Sequence, residues 1–311
     1  DETLVTLLLS IPSLWALAFA LAKIGVFAGL IAGAGGVLAL GGYHNGSRAA
    51  HTRLLSYSLL GAFIGFHSSL APVLIQAGQI NDAGVMGMFD SDLVLLLRGT
   101  PVWESAAFRG AGFALSALLI LSLLRTLRAQ RKPPDSVFYR LAFIGQALAL
   151  GLVAYGFTLS GHVSVLDAWL RAALAFHVAA MAIWVGMLLP LRWCCDDVET
   201  GDLGDLMRRF GRLGMGLVAA LASSGAFMLL TLIDLIELFT TQYGRLMLFK
   251  LAAFVGLLSI AALNKLRHVP VLHLPGGSRA LARSIDRELI VAMVLLLVTA
   301  VVTTLLGPAT H

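Results

Sequence analysis

Eight long apolar runs, at about 14–42, 54–76, 105–125, 138–160, 168–191, 212–234, 245–264 and 288–307, divide the sequence. Each is long enough to cross about 30 Å of hydrocarbon as an α-helix. Lipid offers no partner to a backbone N–H or C=O, so such runs fold as helices that satisfy their own hydrogen bonds. The expected fold is all-α, a polytopic membrane protein with a bundle of eight transmembrane helices. Composition agrees: hydrophobic types make up 59%, charged types 13%, and the mean hydropathy is +0.89. A soluble domain carries roughly a quarter charged residues. A cytosolic enzyme, a disordered chain and a nucleic-acid-binding domain are thereby excluded. The 32 glycines and nine prolines are no objection, because spanning helices tolerate both.

Two stretches depart from simple spans. Ile11-Pro12-Ser13 separates a short interfacial piece from the first run. Residues 78–104, with Val94-Leu95-Leu96-Leu97-Arg98 among them, read as a periplasmic loop with a short surface helix. An N-terminal membrane region, 1–132, and a core, 137–307, form a single integrated membrane domain. The sequence opens at Asp1 instead of Met, so residues are expected to be missing upstream.

Basic residues set the orientation. Arg48 and Arg53 follow the first span, and Arg125, Arg128, Arg131, Lys132 and Arg140 the third. Arg192, Arg208, Arg209 and Arg212 follow the fifth, and Lys265, Arg267, Arg279, Arg283 and Arg287 the seventh. If the spans alternate, sixteen of the 22 Lys and Arg fall on one side. The positive-inside rule makes that side the cytoplasm and puts both termini in the periplasm. The other face is acidic, with Asp1, Glu2, Asp82, Asp90, Asp92, Glu104, Asp167, Asp234 and Glu237. Gly25, Gly29 and Gly33 form a small-xxx-small ridge on the first span, which serves internal packing or a homodimer face.

A charge at mid-helix costs at least about 2.5–3.5 kcal/mol, so intramembrane polar groups carry the information about function. His44, His51, His268 and His273 belong to cytoplasmic loops and His311 to the tail, which leaves His67, His162 and His177. With span 2 ending at Gln76 and span 5 beginning at Ala168, His67 and His177 each lie roughly 13 Å below the outer surface. Met181 is one turn deeper than His177 on the same face. His162 stands at the outer mouth after Ser160-Gly161, and Met86 and Met88 offer further soft groups outside. Imidazole with thioether suits copper, and thioether favours Cu(I). Each of these residues is a candidate metal ligand, against plain packing or hydrogen bonding. Lys250 either snorkels, pairs with Asp234 or Glu237, or gates a cation entering from outside. The adjacent Cys194 and Cys195, unsuited to a relaxed disulfide, are reduced thiols or a copper exit site. No Walker loop, nucleophile elbow, His-Glu-x-x-His or haem-attachment motif is present, so no catalytic residues and no enzyme activity are expected.

Several ordered motifs carry a resemblance. Residues 160–162 read SGH, 177–191 read HVAAMAIWVGMLLPL, 209–217 read RFGRLGMGL and 243–250 read YGRLMLFK, followed by Asn264 and Glu288. Over about 155–307 this series resembles the copper resistance protein D (CopD-type) family of inner-membrane copper proteins. The resemblance implies copper handling at the bacterial inner membrane, uptake from periplasm toward cytoplasm, and a periplasmic copper-binding partner of the CopC type. It maps the family's motif histidines onto His162 and His177. A copper permease is the first expectation. A membrane electron-transfer protein with a bis-His haem b, and a copper-binding membrane partner that does not transport, stand beside it.

Overall fold

The computed structural model describes residues 13–41, 47–81, 83–129, 135–198 and 200–305. Ten α-helices and no strands occur among them. They are α1 (Leu14–Ala39), α2 (Arg48–Asn81), α3 (Ser91–Leu96), α4 (Pro101–Ala129), α5 (Ser136–Gly156), α6 (Ala168–Asp197), α7 (Thr200–Leu232), α8 (Leu235–Thr240), α9 (Gln242–Leu263) and α10 (Gly277–Leu305). Local chemistry starts several of them. Ser13 caps α1 by accepting from the Ala16 N–H at 3.1 Å. Asp90 caps α3, Asp135 caps α5 and Thr241 caps α9 in the same way. Pro101 opens α4, where a missing N–H costs nothing.

Seven helices are long and apolar enough to span a membrane, and the last two of them run through Gly201–Leu232 and Tyr243–His268. The expected eighth span falls within α10, whose first half carries Arg279, Arg283, Asp286, Arg287 and Glu288. Residues 1–12 and 306–311, on which the periplasmic termini were expected, lie outside the described residues, as do His44 and His311.

The helices outrun the apolar segments at several points. α2 continues to Asn81, past the expected end at Gln76, and Pro72 sits inside it. α7 begins at Thr200 because its first turns are amphipathic: Leu203 and Met207 join the core packed around the end of α6. Most of the basic "loops" are therefore helix ends. Ion pairs and a cation–π contact connect helices at that end of the bundle. Arg53 of α2 pairs with Asp197 of α6 and lies 4.7 Å from the Trp193 ring, while Arg192 of α6 pairs with Asp286 of α10 at 3.0 Å. His51 is likewise a correction. It is not a loop residue but a fully buried one inside α2, with Nδ1 on the Ser47 carbonyl and Nε2 on the Tyr139 hydroxyl.

α1 is the centre of the bundle, packed against α2, α6, α10 and α5. Its glycines permit this. A Cβ on Gly29 would meet the Gly65 Cα at 2.5 Å and the Gly61 carbonyl at 2.7 Å, and one on Gly35 would strike the Gly186 carbonyl of α6. Pro190, four residues on, has no N–H to give that carbonyl, so the kinked segment of α6 meets α1 backbone to backbone. The small-residue ridge thus serves internal packing. By contrast only 6% of the most apolar window is buried in the sixth and in the seventh span, so both turn most of their surface outward.

Gly35→Leu should forfeit this contact. Overpacking of this kind costs about 1–3 kcal/mol, and more where backbone is the obstacle. The purified variant should show a lowered thermal midpoint and a broadened size-exclusion peak. Gly151→Ala is the control, since nothing lies within 4 Å of a Cβ there; its midpoint should be unchanged or slightly raised.

Candidate functional site

His177 lies in the third turn of α6, nine residues from the outer start at Ala168 and so about 13 Å deep. Its Nδ1 lies 3.1 Å from the Ser224 Oγ of α7, and its ring edge approaches Gly225. A hydroxyl has one proton to give, and Ser224 donates it to the Ala220 carbonyl at 2.6 Å. With that proton on Ala220 the His177 Nδ1–H donates to Oγ; with the hydroxyl turned to Nδ1 the histidine proton sits on Nε2 instead. Met181 follows one turn deeper and packs in the apolar cluster of Trp184, Leu221, Leu257 and Ala292.

His67 is placed differently. Its Nδ1 donates to the Phe63 carbonyl at 2.9 Å, and it packs against the rings of Phe63 and Phe66 on the exposed face of α2. With α2 ending at Asn81, His67 is about 21 Å from the outer helix end, against about 13 Å for His177. Gly61 and Gly65 meet α1 on the other side of α2, and α2 and α6 touch through Arg53 with Asp197 and Trp193. His67 therefore stands on the exposed face of α2, while His177 is turned onto α7.

The outer groups are dispersed as well. Met86 is exposed in the turn Gly84–Phe89, and Met88 folds back over Gly78 beside Trp15. His162 lies in the turn His162–Val165, and its side chain is outside the described residues. Among the described residues no group of three or more His, Cys, Asp or Glu is arranged to hold a metal. Cys194 and Cys195 are reduced thiols buried in the core, with Cys195 Sγ directed at the Leu191 carbonyl at 3.5 Å. Among the described residues no ion pair joins Lys250 to Asp234 or Glu237, and Lys250 acts electrostatically on His177.

At its C-terminal end α9 runs into a π-turn, Asn264–His268, closed by the Val269 N–H on the Asn264 carbonyl at 2.9 Å. That turn swings the Asn264 side chain onto α10, where Nδ2 donates to Glu288 Oε2 at 2.8 Å. Both residues are buried, and Asn264 Oδ1 has no partner among the described residues. Ser224, Lys23 and Arg109 were also missed as members of the outer half, although a lysine inside the first apolar run was signal enough.

These apolar helices define a multi-pass membrane protein. Residues 204–302 match the family described as Copper resistance protein D, a stretch under half of the chain. Over that stretch the chain is similar to CopD-type proteins, and the apolar helices make it a multi-pass membrane protein. Arg209–Leu217, Tyr243–Lys250, Asn264 and Glu288 fall inside the match; Ser160–His162 and His177 fall outside it. No curated protein and no solved structure matches the chain.

The Asn264–Glu288 pair yields a double-mutant expectation. Asn264→Ala alone leaves the buried carboxyl short of its donor and should cost about 1–3 kcal/mol. Asn264→Leu with Glu288→Leu removes both polar groups and should recover most of that loss. Thermal midpoints of the variants in one detergent check it; equal losses in all of them would deny the pair its coupling.

Proposed function

We propose that this protein binds copper in the outer half of its bundle and passes it from the periplasm toward the cytoplasm. α10 makes the eighth span, and both termini are periplasmic. The observation that carries the reading is the bond between His177 and Ser224: it ties an imidazole inside the bundle directly to the CopD-type stretch. Imidazole above a thioether, His177 over Met181, is a donor pair that accepts Cu(I). His162 serves as the outer mouth, and Met86 and Met88 as soft groups on the periplasmic surface, where a CopC-type protein would deliver the metal. His67 belongs to a different face, so a mononuclear site or a haem shared with His177 has no support.

His177→Ala removes the only lone pair at that position and should abolish copper binding to purified protein, measured as copper per chain. His177→Met should retain part of it as Cu(I). Ser224→Ala removes the hydrogen-bond partner of the imidazole, and losses of this kind weaken metal binding about tenfold or more. His268→Ala, in the π-turn, should leave copper content unchanged. Copper accumulation in cells expressing each variant separates transport from static binding. Wild-type copper content in His177→Ala would remove this site from consideration.

The orientation has its own test. A cysteine replacing Thr126, near the basic end of α4, should be shielded from a membrane-impermeant thiol reagent in intact cells and react after permeabilisation. Labelling in intact cells would invert the arrangement.

A further inference from the structure

Three basic side chains from three helices share one level in the outer half of the bundle. Lys23 is nine residues into α1, Arg109 eight into α4 and Lys250 eight into α9, all about 12–14 Å from their outer helix ends. Geometry draws the first two together. Phe27, one turn from Lys23, stacks on Phe157 with centroids 5.7 Å apart, and the Arg109 guanidinium lies 5.2 Å from the Phe157 ring. Lys23 stands within electrostatic range of both Arg109 and Lys250, and Lys250 within range of His177.

Their hydrogen bonds are to neutral groups. Lys23 Nζ donates to the Thr303 hydroxyl at 2.8 Å and carbonyl at 3.3 Å, and Arg109 Nε donates to the Ser105 carbonyl at 3.1 Å. Nearer the surface, Arg171 shares a face of α6 with Leu174 and Val178, which pack in the cluster that includes Phe157. Its Nε is buried with no hydrogen-bond partner among the described residues. No carboxylate of the described residues forms an ion pair with any of the four. Charges at this depth persist only when paired, hydrogen-bonded or set against water.

We infer that Lys23, Arg109 and Lys250, with Arg171 at the mouth, form a site for an oxyanion in the outer half of the bundle. Guanidinium and ammonium groups together recognise phosphate or carboxylate oxygens, the arginines by their fork of donors and the lysines as point charges. The shared chemistry is a phosphate-type oxyanion, supplied either from the periplasm or by an anionic lipid headgroup. The site stands independently of the copper reading, because none of its members is offered as a metal ligand.

The test uses the full chain in two kinds of nanodisc. In phosphatidylcholine alone, inorganic phosphate is titrated against sodium chloride at matched ionic strength, and the thermal midpoint is followed. In phosphatidylcholine with phosphatidylglycerol, no phosphate is added, and retained lipid is counted by native mass spectrometry. Stabilisation in the first arm identifies a soluble oxyanion, and selective phosphatidylglycerol retention in the second identifies a headgroup. In whichever arm responds, Lys23→Gln and Lys250→Gln should each weaken the effect about tenfold or more. Arg98→Gln, an exposed charge at the end of the surface helix, should not. Two separate variants guard against one that fails to fold. No response in either arm, or a response that both variants keep in full, overturns the site.

Discussion

Backbone contact between α1 and its neighbours is the constraint on which the rest of this bundle depends. Lipid tails are as apolar as leucine side chains, so burial of leucine gives membrane helices little reason to associate, and close packing must do so. Here the glycines of α1 meet Gly61 and Gly65 of α2 on one side and Gly186 of α6 on another. α7 and α9, which lack such an approach to α1, are left at the periphery with most of their apolar surface turned outward.

The two ends of the bundle are built by different physics. At the basic end the helices project beyond the apolar runs, and Arg53, Arg192 and Arg208 find Asp197, Asp196, Asp286 and Asp205. Exposed pairs of this kind are worth only about 0–1 kcal/mol each, so they adjust the packing more than they hold it. In the outer half the cations have no such partners, and their surroundings are hydroxyls, carbonyls and aromatic rings. The contrast is one of wiring, since acidic residues are present at the outer helix ends too. Asp90, for instance, caps a helix and binds Asn81 at 2.6 Å.

Much of the architecture was legible because hydropathy reports spans directly. Runs such as 14–42 and 168–191 needed no tertiary information to be read as helices. Their ends were less legible. An amphipathic first turn such as that of α7 has the composition of a loop and folds as helix only because Leu203 and Met207 find the end of α6. The site was legible residue by residue but not as a constellation. His177 stood out as a polar group in an apolar run, but its partner Ser224 lies 47 positions away, and no local pattern announces that pairing. His67 stood out for the same reason. Its direction depended on the face taken by Gly61 and Gly65, which the ridge on α1 hinted at without fixing.

The outer half therefore poses an electrostatic question that the metal reading must answer. Two unit charges 4 Å apart interact by about 4 kcal/mol at an effective dielectric near 20, and more where water is excluded. A bare copper ion approaching His177 would meet Lys250 beside it and Lys23 and Arg109 at the same level. Repulsion of that size would oppose entry unless negative charge accompanies the metal or already occupies the basic cluster. An oxyanion held by Lys23, Arg109 and Lys250 would offset part of their positive charge and so lower the repulsion toward a cation at His177. Such an anion would not compete with a metal for the histidine, because ammonium and guanidinium donors bind oxygen while an imidazole lone pair binds a metal.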